Sequence, residues 1–284
     1  MAVQKIEVAA LNIVASPHPK GVYREILSAI ANKEVTLWGS DRGKITEFQE
    51  MEDKPNLLYG RVLVWGEIDK DGKWLNKNKN IEATPEEKQK IAKAIPEDYE
   101  PNFRSFYFVF IEDKHRLIFE SKNELDQHFA PSRAERMFQR LFDRHLPDSA
   151  SAVDVTAIPE DETLEAIFAI PKLRRLEIFV KRPNADDSAD AEQRILNRME
   201  RQSAGGLKTE LTKAPKKKSL TPDNGTKSMA AVAAAGNGHV TGEGKDAKGK
   251  KVFESTKEHP KIRPVEVEGA SSFAAFLSAL RFFS

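Results

Sequence analysis

The chain has 284 residues, no cysteine, 31% charged side chains and a formal net charge of +1. The lack of cysteine excludes disulfides, thiolate metal sites and cysteine nucleophiles, and it fits a reducing cytoplasm. No apolar run is long enough to span a bilayer, and residues 1–5 lack the apolar block of a signal peptide, so a cytoplasmic protein without a membrane segment is expected.

In chain order, residues 5–15 are an apolar run that reads as a strand, broken by residues 16–21. Val22, Ile26, Leu27 and Ile30 follow at helical spacing. Residues 35–38 and 45–48 read as a hairpin across a Gly39–Gly43 turn, and residues 57–68 as a long strand. Thr84, Pro85 and Glu87 open a short helix with a capping box, which Ile95-Pro96 ends.

Residues 103–111 are the most apolar run in the chain. Phe106, Phe108 and Phe110 share one strand face, and Tyr107, Val109 and Ile111 share the other, so a central strand covered on both sides is expected. Residues 112–114 turn it into a second strand, 115–121, which reads as half-solvated because Arg116, Ile118 and Glu120 share a face. Pro131 and a Ser132/Glu135 capping box then open the most strongly periodic helix, with Met137, Phe138, Leu141 and Phe142 on its apolar face. A strand at 153–158, a short helix at 163–170 and a last strand at 173–181 complete the body. The expected fold is α+β, a mixed sheet with a central hairpin and crossover helices.

A break at residues 183–188 divides the chain into a body, 1–184, and a C-terminal part. Residues 185–220 hold a polar helix and a lysine-rich linker around Lys216, Lys217 and Lys218. Residues 221–284 hold an alanine-rich helix, a hairpin turning at 246–249 beside Lys250 and Lys251, and an apolar terminal helix. Residues 204–263 carry 13 basic and 6 acidic side chains, a net of +7, which leaves −5 in residues 1–203 after the −1 of residues 264–284. This basic helix-hairpin module suggests an acidic partner, or else a solvated lysine-rich segment. The terminal helix lacks a charged face and is expected to dock on the body or on a second copy, giving self-association through 271–284.

Arg133, Arg136, Arg140 and Arg144 form one helical stripe, suited to phosphate because each guanidinium is planar and permanently charged. Arg194, Arg198 and Arg201 form a second stripe. A solvated face with local ion pairs is the alternative. Arg175, Glu177, Phe179 and Lys181 alternate along the last strand, either as a stacking platform or as a sheet edge covered by another element. Two Glu-x-Lys sets, Glu52 to Lys54 with Asp41 and Glu112 to Lys114 with Asp98, have the form of metal-dependent nuclease carboxylates. No histidine has a partner at i+3 or i+4, and no P-loop is present, so no metal or cofactor is expected.

Residues 8–13, Pro17-His18-Pro19, Pro101-Asn102-Phe103, residues 173–178, Pro183-Asn184 with Asp186-Asp187, and residues 255–260 together resemble an uncharacterised bacterial family of about this length. The resemblance implies no activity and no catalytic residues. The layout of residues 108–110, the arginine helix and the 173–181 strand is also similar to the phage-exclusion protein RexA and the anti-phage protein KwaB, which would imply a cytoplasmic DNA-binding oligomer. The expectation is thus a non-enzymatic protein that binds nucleic acid, DNA by preference, in anti-phage defence, through Arg133, Arg136, Arg140, Arg144, Lys216, Lys217, Lys218, Lys250 and Lys251. A metal-dependent nuclease and an oligomeric interaction subunit are the alternatives.

Overall fold

A computed structural model describes residues 3–183 and 190–283; the expected break at 183–188, and the boundary at 184, fall almost wholly outside the described residues. The elements run β1 (Val3–Ser16), α1 (Val22–Ile30), β2 (Val35–Trp38), β3 (Asp41–Ile45), β4 (Gln49–Met51), β5 (Lys54–Gly66), β6 (Leu75–Asn76), β7 (Ile81–Glu82), α2 (Pro85–Ala94), β8 (Arg104–Ile111) and β9 (Arg116–Lys122). They continue α3 (Pro131–Arg144), β10 (Ala152–Ala157), α4 (Thr163–Phe168), β11 (Lys172–Lys181), α5 (Asp190–Arg201), β12 (Gly206–Thr212), α6 (Asn224–Val232), β13 (Gly238–Lys245), β14 (Lys251–Ser255), β15 (Ile262–Glu268) and α7 (Ser272–Ser278).

The fold is α+β. A nine-stranded curled sheet has the order β10-β1-β9-β8-β5-β3-β2, with β15 also on β1 and β4 also on β5. The β8–β9 hairpin is central, as the apolar run of β8 requires. Phe106, Phe108 and Phe110 enter the core beneath α1 and α3, while Val109 and Ile111 enter a second core on the other face. Of the two expected crossover helices one is present: α3 carries the chain from β9 to β10 across β1, which pairs with both, whereas α4 leads from β10 to β11 in a second sheet. Because β1 lies between the parallel strands β9 and β10, the strand ladders of the nine-stranded sheet are antiparallel rather than mixed.

Two local expectations give way. The strand β9 is not half-solvated: Ile118 and Glu120 are buried, because the face they share is covered by the C-terminal segment. There Phe276 and Phe283 pack on the sheet, Ser271 caps α7 by accepting from Ala274 N (3.2 Å), and Arg116 donates to Phe283 O (2.8 Å). The apolar side of residues 271–283 is thereby covered by this chain's own body. The Ser132/Glu135 capping box also does not form, since α3 is capped two residues earlier, at Ala130, without a side-chain cap. Glu135 instead accepts from Ala157 N (3.1 Å) on β10, a tertiary partner that outcompetes a local one. The Thr84/Glu87 box, with no such competitor, forms as expected.

The second sheet has the order β12-β11-β13-β14, so β11 is an interior strand rather than a covered edge. Its inner face, with Leu176, Ile178, Val180 and Val240, packs on Ile195 and Met199 of α5 and Ala230 of α6. The hairpin β13–β14 turns where Asp246 accepts from Lys250 N (2.8 Å). The strand β13 is laid directly on β11, and Gly238 permits it: a Cβ there would lie 2.0 Å from Phe179 O.

Buried Asn12 joins the sheets. Its amide donates to Gly236 O and Asn237 Oδ1, both at 3.1 Å, and Asn237 in turn donates to Val232 O (3.3 Å). Gly236 has φ +105, and a Cβ there would sit 2.9 Å from Asn12 Cβ.

Candidate nucleic-acid interface

The stripe on α3 divides by role. Arg140 donates to Thr36 O and to Leu37 O (3.2 Å), tying α3 to the edge strand β2. On the opposite side Gln139 donates to Val153 O (2.8 Å) and accepts from Val155 N (3.0 Å), beside the Glu135–Ala157 bond. One helix therefore satisfies backbone groups on both edges of the curled sheet, which blunts them against pairing with other chains. Arg133 stands 3.6 Å from Asp41, which also takes Arg104 at 3.1 Å. Arg136 and Arg144 are exposed, with Arg136 over the Trp38 ring at 6.0 Å.

A cleft of about 450 Å³ opens where α3 faces the second sheet, and Arg136, Arg140, Lys181 and Lys257 line it together with Glu135. Lys181 projects from the end of β11 and donates to Val155 O (3.0 Å), with Asp154 at 3.4 Å. Lys257 lies in the turn after β14. Four cations from three segments thus line the cleft with one carboxylate, while Asp154 pairs with Lys181 beside it.

The other expected lysines lie elsewhere. Residues 213–220 are fastened to the start of β11, through Lys213 N to Arg174 O (2.7 Å) and Leu220 N to Leu173 O (2.8 Å). That places exposed Lys216, Lys217 and Lys218 at the same end of the sheet as Lys172, Lys245 and Lys251, which are adjacent in register. Lys250 precedes Lys251 there, and all of them are remote from Lys181 by the length of β13, about 24 Å at an ordinary strand rise. Distant stretches of sequence are gathered into one basic end, and the α3 stripe belongs to the other.

Between the two ends runs the outer face of the sheet. Arg175 is enclosed by Glu210 (2.9 Å), Glu243 (3.1 Å) and Glu177 (3.3 Å). Lys208 at 3.0 Å bonds Glu177 and holds its carboxyl below the usual carboxylate range. Next along β11, Phe179 faces His239 of β13 with ring centroids 5.3 Å apart. Burial, then the charge of Lys257, lowers the His239 pKa to about 4, so the ring is neutral at neutral pH. Nothing local in the sequence marks Lys257 or His239 as part of a site; only the register of β11, β13 and β14 puts them beside Lys181.

The carboxylate sets are dispersed. Glu112 binds Arg24 (2.8 Å), Asp113 accepts from Asn56 (2.8 Å), and Asp41 is held by the two arginines. Among the described residues no three histidine, aspartate or glutamate side chains are grouped to hold a metal ion. His18, Tyr23 and His115 do gather at a second cavity, with Tyr23 Oη 3.3 Å from His18 Nδ1 and its ring 5.0 Å from that of His115. Glu120 lines neither the cleft nor this second cavity: Tyr107 N donates to its Oε2 (2.7 Å), its buried Oε1 has no hydrogen-bond partner, and burial pushes its pKa up to about 7.

Residues 4–281 match the family model described as a domain of unknown function, DUF4747. No curated protein matches the chain. No helix among the described residues is long and apolar enough to cross a membrane.

Proposed function

The chain belongs to the DUF4747 family, whose description names no activity, and on that footing we propose that it binds the phosphate backbone of nucleic acid in the cleft between α3 and the second sheet. The observation that carries this reading is the convergence of Arg136, Arg140, Lys181 and Lys257 on one cavity that holds a single carboxylate. Guanidinium and ammonium groups presented together suit a phosphodiester chain, each contact releasing condensed counterions. The remote lysine end adds a second place for phosphates, a strand's length away. The preference for DNA over RNA rests on the likeness to RexA and KwaB alone, since the charge pattern suits either phosphate backbone. We propose binding alone; the defence role suggested by the likeness to RexA and KwaB has no residue of the site behind it.

The test is fluorescence anisotropy with labelled DNA and RNA across a salt series. Affinity should fall steeply with salt and depend little on sequence. Arg136→Ala with Lys257→Ala removes two charges and leaves the edge bonds of Arg140 in place. The slope of log affinity against log salt should then fall by about 1.4–1.8. Absence of binding to either nucleic acid at low salt rejects the reading, and an unchanged slope moves the site to the lysine end.

A further inference from the structure

A smaller cavity of about 140 Å³ adjoins the cleft, and Glu135, Lys181 and Lys257 line both. Its remaining wall includes the Phe179 and His239 rings and Thr256. We propose that this cavity receives one unpaired nucleobase from a strand whose phosphates lie in the cleft, which makes the protein selective for single strands; this rests on the backbone-binding reading above.

Three observations carry it. Lys181 and Lys257, with Glu135, line both cavities, whereas Phe179 and His239 line only the smaller one. That is the order in which a nucleotide presents its phosphate and its base. The cavity has room for one heteroaromatic ring, whereas a base pair cannot enter without unpairing, so duplex is disfavoured. The rings are also fixed in place. Phe179 and His239 face each other in register on neighbouring strands, and Gly206 leaves the space the Phe179 ring occupies, since a Cβ there would come within 3.0 Å of it. A neutral His239 offers a stacking face, and every base has a π-face to match, so the selectivity is for strandedness and not for sequence.

The experiment compares a mixed-sequence single strand of about 12 nucleotides with its duplex, a site size within the range for single-strand grooves, using the full chain at low salt. Wild type should bind the single strand more tightly. His239→Ala should weaken single-strand binding roughly 5- to 150-fold, the loss that removing one stacked base produces, while leaving duplex affinity and the salt slope unchanged. His239→Phe, which keeps a stacking face, should retain wild-type preference. Equal affinity of wild type for strand and duplex overturns the inference, as does a His239→Ala variant that keeps full single-strand affinity. In both cases the backbone reading stands, because binding and its salt slope persist. Absence of any binding by wild type removes both.

Discussion

The central strands of the nine-stranded sheet are apolar on both faces and covered on both, by α1 and α3 on one side and the C-terminal segment on the other. The four-stranded sheet buries only the face that meets α4, α5 and α6. Its other face shows Arg175 among three carboxylates and the Phe179–His239 pair. A strand that is apolar at every position has only one environment open to it, a doubly covered interior. A strand that alternates leaves one face to chemistry, and here that face leads from a lysine-rich end to a cationic cleft. The centre of the first sheet is therefore a scaffold, whereas the second sheet keeps one face open.

The largest effect expected from that contrast is in the scaffold. Phe108 is fully buried against α3, and Phe108→Ala should lower the unfolding free energy by about 3–5 kcal/mol. Chemical denaturation measures it, and a midpoint equal to that of wild type would break the distinction between the sheets. Next comes Glu120, buried in the scaffold with its carboxyl raised from 4.5 to about 7. Between those values the folded chain holds a proton that the unfolded chain has released, so stability falls as pH rises through the window. Glu120→Gln keeps an acceptor for Tyr107 N–H and has no charge to bury. It should gain up to about 3 kcal/mol at pH 8 over wild type, a gain that fades as pH drops toward the ordinary carboxylate range. Melting curves across pH decide this, and a pH-independent difference would mean that Glu120 is not the titrating group.

Smaller again is the junction. Asn12→Leu leaves Gly236 O and Asn237 Oδ1 without their shared donor, at a cost of about 1–3 kcal/mol. If the sheets were independent, hydrogen exchange would rise only beside residue 12; coupled sheets should show it also at α6 and β13. Smallest is the surface itself: Arg136→Ala with Lys257→Ala should change stability by less than about 0.5 kcal/mol, so any loss of nucleic-acid affinity in that variant reports on contact and not on folding.

What could be read from sequence follows the same line. Local and redundant signals were legible: the two apolar faces of residues 106–111, the periodic stripe of α3, the Thr84/Glu87 box. Signals whose partners lie far along the chain were not. Glu135 reads as a cap because its acceptor role toward Ala157 is invisible until β10 is placed. Arg140 reads as a surface cation because nothing local reveals the β2 carbonyls it meets. The strand β12 was hidden beside the lysine tract, and β15 was hidden by Pro264, which is tolerated because that strand is an edge, paired only with β1. The cleft was half legible: α3 supplies two of its cations in an obvious pattern, but Lys181 and Lys257 join them only through strand register.

The ladder between β1 and β15 pairs Val3 with Glu268 and Ala9 with Ile262. During synthesis β1 is thus made long before its edge is completed. Until residue 268 has left the ribosome, half of one long edge of β1 stands open, beside β10 but without its own partner. The apolar face later covered by residues 272–283 is bare for longer still. Such a chain matures all at once and late, and its newborn form presents both a sticky edge and a greasy surface. Its yield in a cell should depend on chaperones to a degree that its finished stability does not reveal.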